Sequence, residues 1–312
     1  MLHKLTILFF CLFWFSCKND ENVGPESKNV WTQKNDFGGG ARSRMMSFSA
    51  NGKGYAGLGL GEDETGLHTF NDFWEYSPES DQWVRKKDLP QWVLGQVGLS
   101  IGNKGYLLAF GSALLEYDPV ADTWTERAPF PFSRAGQCGF VINGKIYAGT
   151  GYDPSNTNEI FNDWWEYDPA TDQWTQKADV PSAGRAGSAA WATADKGFLG
   201  FGYYSGGVFN DFWEYDPIAD QWTSRKMPGT HFNWGISFML NDKPFFGYPI
   251  LDDVHRSNLF QYDPSSDTWS QKAVFKSGLC LETTSFTIGN AAYVVGGVWS
   301  SEFSDQLWQY EY

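Results

Sequence analysis

The sequence predicts an all-β protein, namely a six-bladed β-propeller with four antiparallel strands in each blade. Aromatic residues make up 18% of the 312 residues, and the 34 glycines suit many short strands joined by tight turns. A Tyr-x-Pro-x-x-Asp-x-Trp segment also recurs at intervals of roughly 40 to 50 residues, which is typical of a repeat architecture. Its five complete copies begin at Tyr76, Tyr117, Tyr167, Tyr215 and Tyr262.

A sixth copy of this segment is divided between the two ends of the chain. Tyr310 has no tryptophan after it, and Trp31 has no tyrosine before it. We therefore expect residues 30–34 to supply the fourth strand of the last blade and to close the array into a ring. Closure removes the exposed sheet edges that would otherwise invite aggregation. Residues 30–312 are then predicted to form a single six-bladed propeller.

The third repeat shows how each blade is built. Its first two apolar runs flank Asn143 and Gly144, a pair that favours the tight turn of a β-hairpin. The third strand ends at Tyr167, and the Asp168-Pro169 turn leads to a fourth strand that carries Trp174. A four-stranded unit cannot bury both of its faces alone, so such units stack around a common axis.

The first 29 residues have a different character from the repeats. Residues 1–17 contain a short charged start and an apolar run of signal-peptide length, too short for a membrane span. They resemble a bacterial lipoprotein signal peptide, which implies that Cys17 is lipidated. Residues 18–29 would form a flexible tether. The resemblance implies lipid anchoring to the bacterial outer membrane, exposed on the cell surface or in the periplasm, and a cleaved signal without lipid is the alternative.

The lipid anchor makes a testable prediction. Replacing Cys17 with serine removes the thiol that carries the lipid, so the protein is expected to leave the membrane fraction and appear in the soluble fraction. Fractionation followed by immunoblotting of the two proteins measures this. Unchanged membrane association of Cys17→Ser contradicts the anchor.

Charge and motif content exclude several classes of function. The net charge of −14 comes without a basic stripe, so nucleic-acid binding is not expected and membrane contact is expected through the lipid only. No Ser-His-Asp set, phosphate loop or paired-cysteine motif is present. His68, His231 and His255 lack metal-ligand spacing, so neither a metal nor a cofactor is expected. Cys138 and Cys280 fall in blades on opposite sides of the ring and are expected to be buried thiols.

Roughly residues 30 to 312 resemble the Kelch-repeat β-propeller family. The resemblance rests on the arginine that begins strand 1, the Asn-Gly-Lys-Ile-Tyr hairpin, the glycines that end strand 2, the Tyr-Asp-Pro segment and the strand 4 tryptophan. The double glycine of the family is kept only at Gly296-Gly297, and other blades have Gly-x-Gly. The chain resembles bacterial Kelch lipoproteins and, more distantly, sialic-acid mutarotases.

One face of the predicted propeller carries the candidate ligand site. The connections between strands 2 and 3 and between successive blades share this face, and they vary in length, whereas the opposite face has uniform tight turns. Variable loops on a rigid scaffold commonly carry function. Arg42, Arg134 and Arg185 occupy one equivalent position, at the entrance to strand 1 beside the central channel. Three guanidinium groups there can bind a carboxylate, or each can hold backbone carbonyls of neighbouring loops.

Further candidate residues belong to the same face. Arg44 and Glu282 are equivalent residues of adjacent blades, two positions after the arginine position, and are expected to share a pocket wall with Arg42. A structural salt bridge is the alternative. Candidate ligand contacts are Trp92, Trp234 and His231. The alternative is packing between adjacent loops for the two tryptophans and an exposed loop residue without a role for His231.

The sequence favours a binding module that recognises a protein, peptide or glycan on this variable face. The alternative follows from the resemblance to sialic-acid mutarotases, which implies a mutarotase or epimerase acting on an acidic sugar such as N-acetylneuraminate. Glu282 would then be the catalytic acid or base. The sequence alone leaves open whether the protein is an enzyme.

Overall fold

The computed structural model describes residues 29–64, 66–90, 95–204, 206–228, 235–249, 257–275, 281–299 and 302–312. Within these ranges, six four-stranded antiparallel sheets form six blades, which confirms the predicted fold. The first strands of successive blades contact one another, and the first strands of blades 6 and 1 are also in contact, so the ring is closed. Among the described residues no helix is long and apolar enough to cross a membrane.

In blades 1 to 5 the strands follow one another in chain order from the channel outward, whereas the outermost strand of blade 6 is the first strand of the chain. Blade 1 consists of Met46–Ala50, Lys53–Gly57, Phe73–Ser77 and Gln82–Arg85. Blade 2 consists of Gly95–Ile101, Lys104–Ala109, Leu114–Asp118 and Thr123–Arg127. Blade 3 consists of Cys138–Ile142, Lys145–Gly149, Trp164–Asp168 and Gln173–Lys177.

The other half of the ring repeats this arrangement. Blade 4 consists of Ala189–Ala192, Gly197–Gly200, Phe212–Asp216 and Gln221–Arg225. Blade 5 consists of Ile236–Leu240, Lys243–Pro249, Ser257–Asp263 and Thr268–Gln271. Blade 6 consists of Thr284–Ile288, Ala291–Val295, Leu307–Glu311 and Val30–Lys34. The N-terminal strand therefore completes the last blade, as predicted.

The repeated Tyr, Asp and Trp residues hold neighbouring blades together. In blade 2, Tyr117 is fully buried and donates a hydrogen bond of 2.6 Å to Asp122. The Asp122 carboxylate also accepts the backbone N–H of Lys87, which follows the outer strand of blade 1. Trp124 donates its indole N–H to the carbonyl of the same Lys87, at 3.0 Å. The spacing seen in the sequence thus reflects a joint between blades.

At the point of ring closure, Asn29 takes the place of the aspartate in this joint. Its side-chain oxygen accepts the Tyr310 hydroxyl at 2.7 Å and the backbone N–H of Ala273, after the outer strand of blade 5, at 3.0 Å. Trp31 is the Cα partner of Tyr310 across the blade 6 ladder, and its indole N–H reaches the Ala273 carbonyl at 3.4 Å. The joint between blades 5 and 6 is therefore built from both ends of the chain.

Short β-hairpins stand on the variable face between strands 2 and 3 of blades 1, 3, 4 and 6. They pair Leu60–Asp63 with Gly66–Thr69, Tyr152–Asp153 with Asn156–Ile160, Tyr203–Tyr204 with Gly207–Val208, and Val298–Trp299 with Glu302–Phe303. In blade 2 the connection is a tight turn closed by the hydrogen bond from Ala109 N–H to Ala113 O, at 3.0 Å. The variable face is consequently lower at blade 2 than at these four blades.

Candidate functional site

Arg42, Arg134 and Arg185 are fully buried, each inside its own blade. In blade 3, the Nη1 of Arg134 donates to the carbonyl of Thr150 at 2.9 Å and to Asp163 at 2.5 Å. Trp165 donates its indole N–H to the same carboxylate at 2.7 Å. The structure therefore surrounds this guanidinium with acceptors from its own blade. One of them is a backbone carbonyl, as in the alternative in which each arginine holds neighbouring loops, and the other is the Asp163 carboxylate.

Blades 1 and 4 contain the same arrangement. Arg42 pairs with Asp72 at 2.5 Å, and Arg185 pairs with Asp211 at 2.5 Å. The sequence contains a pattern that predicts these aspartate partners and that the arginines alone do not reveal. Asn-Asp-x-Trp occurs before the strand 3 tyrosine in these same three blades. Its copies are residues 71–74, 162–165 and 210–213. At the aspartate position the remaining blades have Ala113, Asn258 and Gln306.

A cavity of about 340 Å³ opens on the variable face at the mouth of the central channel. Every blade contributes to its lining, which includes Arg44, Phe110, Tyr152, Tyr203, Ser237 and Glu282. In a ring of six blades, blade 1 lies opposite blade 4 and blade 3 lies opposite blade 6. The charged pair from blades 1 and 6 therefore faces two tyrosines from blades 3 and 4 across this mouth cavity.

Arg44 and Glu282 form the charged wall of the mouth cavity. Their side chains make an ion pair with Nη2 and Oε1 2.7 Å apart, and Ser43 donates its hydroxyl to the second carboxylate oxygen at 2.9 Å. The Arg44 side chain is 52% exposed and that of Glu282 is 13% exposed. The hydrogen bond to Glu282 raises the pKa of Arg44 above its usual value, so the guanidinium remains charged at all physiological pH values.

Both residues of this pair have left-handed backbone conformations, with φ of 54° at Arg44 and 55° at Glu282. The equivalent positions in blades 3 and 4 are Gly136 and Gly187, with φ of 67° and 64°. A residue with a side chain pays roughly 1–2 kcal/mol for this conformation, which glycine adopts readily. Two charged residues kept at positions that suit glycine are typical of a functional site.

The expected shared wall is thus formed by Arg44 and Glu282, whereas Arg42 lies inside blade 1. The sequence-based expectation relied on strand alternation, in which residues two apart point to the same side. The left-handed turn at Arg44 interrupts that alternation. The backbone N–H of Arg44 instead bonds to the Glu282 carbonyl at 3.0 Å, which links blade 1 to blade 6.

The tyrosine wall comes from the first residues of two hairpins, Tyr152 and Tyr203. A Cβ added at Gly187 would lie 2.9 Å from the ring of Tyr203, so the absence of a side chain there lets the ring pack on the backbone. Burial and the neighbouring Tyr152 raise the pKa of Tyr203, and Arg44 opposes this rise. Tyr203 is therefore a neutral phenol at pH 7.

Gln137 lies on the floor of the mouth cavity and also lines the channel cavity below it. It is 5% exposed, and its Nε2 donates to the carbonyl of Ala109 at 3.2 Å. Its Oε1 is buried and has no hydrogen-bond partner among the described residues. Sequence reasoning missed Gln137 and Tyr152. Gln137 belongs to no repeated pattern, whereas Tyr152 follows a Gly-x-Gly segment as Tyr203 does in blade 4, and this shared position was the available signal.

Four of the predicted site residues, Cys17, Trp92, His231 and Trp234, lie outside the described residues and stay predictions. Cys280, expected to be a buried thiol, also lies outside them. Among the residues that are described, no group of three or more His, Cys, Asp or Glu side chains is placed to hold a metal ion. Cys138 is a buried free thiol.

Comparison with known proteins identifies one of the repeats. Residues 133–181, which include Arg134, Gln137 and Tyr152, match the model of the Kelch motif. The chain is a six-bladed propeller that carries a Kelch motif. The solved structure of YjhT superimposes on this Kelch propeller with a TM-score of 0.70 and 16% identity, covering 86% of this chain and 94% of that one. At this level of identity the similarity shows the fold alone.

Curated relatives of the Kelch propeller match a shorter stretch. N-acetylneuraminate epimerases from Haemophilus influenzae strains PittEE and 86-028NP are each 32% identical to it over 80 residues. The match covers 25% of this chain and 21% of each relative, so it spans about a fifth of the length of those epimerases.

Proposed function

We propose that this Kelch propeller binds an acidic sugar in the mouth cavity, with Arg44 contacting the sugar carboxylate. The observation that carries the proposal is the Arg44–Glu282 pair, held in left-handed conformations at the rim of a cavity lined by all six blades. A guanidinium offers planar paired donors that match a carboxylate. The half-exposed Arg44 is placed on the cavity wall to do so.

The opposite wall suits the rest of such a ligand. Tyr152 and Tyr203 present aromatic rings with polar ends, and aromatic side chains can pack against the apolar face of a sugar ring. A volume of about 340 Å³ lies at the lower end of the range for small-molecule sites. The epimerases that match part of the chain are named for N-acetylneuraminate, which carries a carboxylate, and this supports the choice of ligand class.

Epimerisation of the bound sugar is a second candidate function, favoured by the presence of a carboxylate and a neutral phenol on facing walls. The carboxylate of Glu282 would remove the proton of the anomeric hydroxyl while the phenol of Tyr203 protonates the ring oxygen. The ring C–O bond then breaks, and reclosure on the other face of the carbonyl returns both protons. The two anomers interconvert with no net change in atoms or electrons.

We place this activity outside the cytoplasm, on a protein anchored through Cys17 to the bacterial outer membrane. The support is the signal-like sequence of residues 1–17 and the polar stretch that follows it. A lipid-anchored propeller of this kind would capture its ligand at the cell surface or in the periplasm.

Replacing Arg44 with glutamine is expected to weaken binding of N-acetylneuraminate at least tenfold, about 1.4 kcal/mol. The charged partner of the carboxylate is removed, while the change is confined to one exposed side chain. Isothermal titration calorimetry measures the affinity. The matched control is Arg85→Gln, because Arg85 is 58% exposed and also pairs with a carboxylate, Asp88 at 2.8 Å, but lies in the outer strand of blade 1. Arg85→Gln is expected to bind as the unaltered protein does.

The same samples distinguish binding from catalysis. Acceleration of anomer exchange, followed by NMR and lost in Glu282→Gln while the sugar still binds, supports the epimerase. Binding of the sugar without acceleration of anomer exchange supports a binding module. An unaltered protein that binds neither N-acetylneuraminate nor another acidic sugar contradicts the proposed function.

A further inference from the structure

We infer that the floor of the mouth cavity is an acceptor site for the uncharged end of the ligand, with Gln137 Oε1 receiving an N–H or O–H donor. This rests on the proposed function and specifies the ligand class further. The ligand is an acidic sugar with one carboxylate, whose opposite end carries hydrogen-bond donors and no second negative charge.

The orientation of the Gln137 amide follows from its surroundings. The Ala109 carbonyl is a hydrogen-bond acceptor, so the group facing it at 3.2 Å must be the amide nitrogen. The oxygen is consequently the atom turned away from Ala109, and it is buried without a partner. A buried acceptor left unpaired has lost its hydration without compensation, and a ligand donor reaching the floor would offset that loss.

The channel cavity directly below the floor, which Gln137 also lines, is rich in hydroxyl groups. Ser47 donates its hydroxyl hydrogen to the Ser285 carbonyl at 2.7 Å or shares it with Thr284, and Ser285 donates its own to the carbonyl of Ser237. Because the hydroxyl hydrogens of Ser47 and Ser285 can be engaged with carbonyls of neighbouring strands, these residues offer acceptors to the channel cavity that they line. Such a surface favours donors and disfavours a second carboxylate or a phosphate.

The floor and the charged wall are on different sides of the mouth. Gln137 belongs to blade 3, which lies opposite blade 6 and its Glu282, and both residues line the same cavity. A single ligand can therefore place its carboxylate at Arg44 and a donor, such as an amide N–H or a hydroxyl, at Gln137. The two contacts together would favour ligands whose carboxylate and hydrogen-bond donor are separated by the distance between Arg44 and Gln137.

The test compares Gln137→Met with the matched control Gln261→Met. Gln261 is also buried, at 3% exposure, and also has an amide atom without a partner, but it lies in the third strand of blade 5 and not on the cavity. Methionine keeps the shape and removes the amide. We expect Gln137→Met to bind N-acetylneuraminate about tenfold more weakly, with an unchanged or higher melting temperature of the unliganded protein. Gln261→Met is expected to leave the affinity unchanged.

Each outcome bears on the inference. An unchanged affinity in Gln137→Met, beside a loss in Arg44→Gln, overturns the acceptor floor and leaves the proposed function standing. Absence of binding in the unaltered protein overturns both. If Gln137→Met does not fold, Gln137→Asn keeps the amide and shortens the side chain by one methylene, and we expect the same loss of affinity from it.

Discussion

Deleting residues 29–34 is expected to lower the melting temperature by roughly 10 °C or more, because it opens the ring. The deletion removes the outer strand of blade 6, all five of whose residues pair with Leu307–Glu311. It also removes Trp31, whose ring centroid lies 4.3 Å from that of Phe275 and 4.8 Å from that of Tyr310. The exposed edge left behind is a template for aggregation. Differential scanning calorimetry measures the change.

A deletion of equal length in the preceding segment, residues 19–24, serves as the control and is expected to leave the melting temperature unchanged. The single change Trp31→Ala is expected to lower the free energy of unfolding by about 3 kcal/mol, since a large aromatic contact is lost. A deletion of residues 29–34 that melts like the unaltered protein would show that ring closure contributes nothing to stability.

Replacing Arg134 with methionine is expected to lower the free energy of unfolding by about 3–5 kcal/mol. The reason is that the change leaves the Asp163 carboxylate without its cationic partner in the interior of blade 3. Urea unfolding measures the loss. The double variant Arg134→Met with Asp163→Leu removes both charges and is expected to recover most of that stability, because an apolar pair replaces the ion pair.

This experiment also separates the two interpretations of the buried arginines. If Arg134 serves the blade, the folded variant binds the acidic sugar with the affinity of the unaltered protein. A variant of normal stability that no longer binds the sugar would instead assign Arg134 to the ligand. Arg85→Met, which changes an exposed arginine outside the cavity, controls for the loss of positive charge.

Much of the architecture could be predicted because it repeats. The Tyr-to-Trp spacing revealed the blades, and the unpaired Trp31 and Tyr310 revealed the closure, since each blade solves the same packing problem with the same residues. Comparing blades also identified Arg44 and Glu282 as neighbours. The partners of the arginines were missed, because Arg134 and Asp163 are 29 residues apart and their link shows only when the presence of the arginine and of Asn-Asp-x-Trp is compared across all blades.

The floor of the mouth cavity could not be predicted, for a different physical reason. Gln137 follows a left-handed glycine, Gly136, and its orientation depends on a carbonyl of the neighbouring blade, Ala109. Tyr152 is positioned by the hairpin that it begins. Such details arise from contacts between blades and depend on the side chains found at one place only.

The position of Asn29 determines how an anchored molecule would face its surroundings. Asn29 occupies the place of an aspartate in a turn between strands 3 and 4, and those turns lie on the face opposite the mouth cavity. Residue 29, the first described residue, therefore lies on the side of the propeller away from Arg44 and Glu282. If Cys17 carries a lipid, as proposed, the anchored segment joins the propeller on the face of the uniform turns, and the mouth cavity lies on the opposite face.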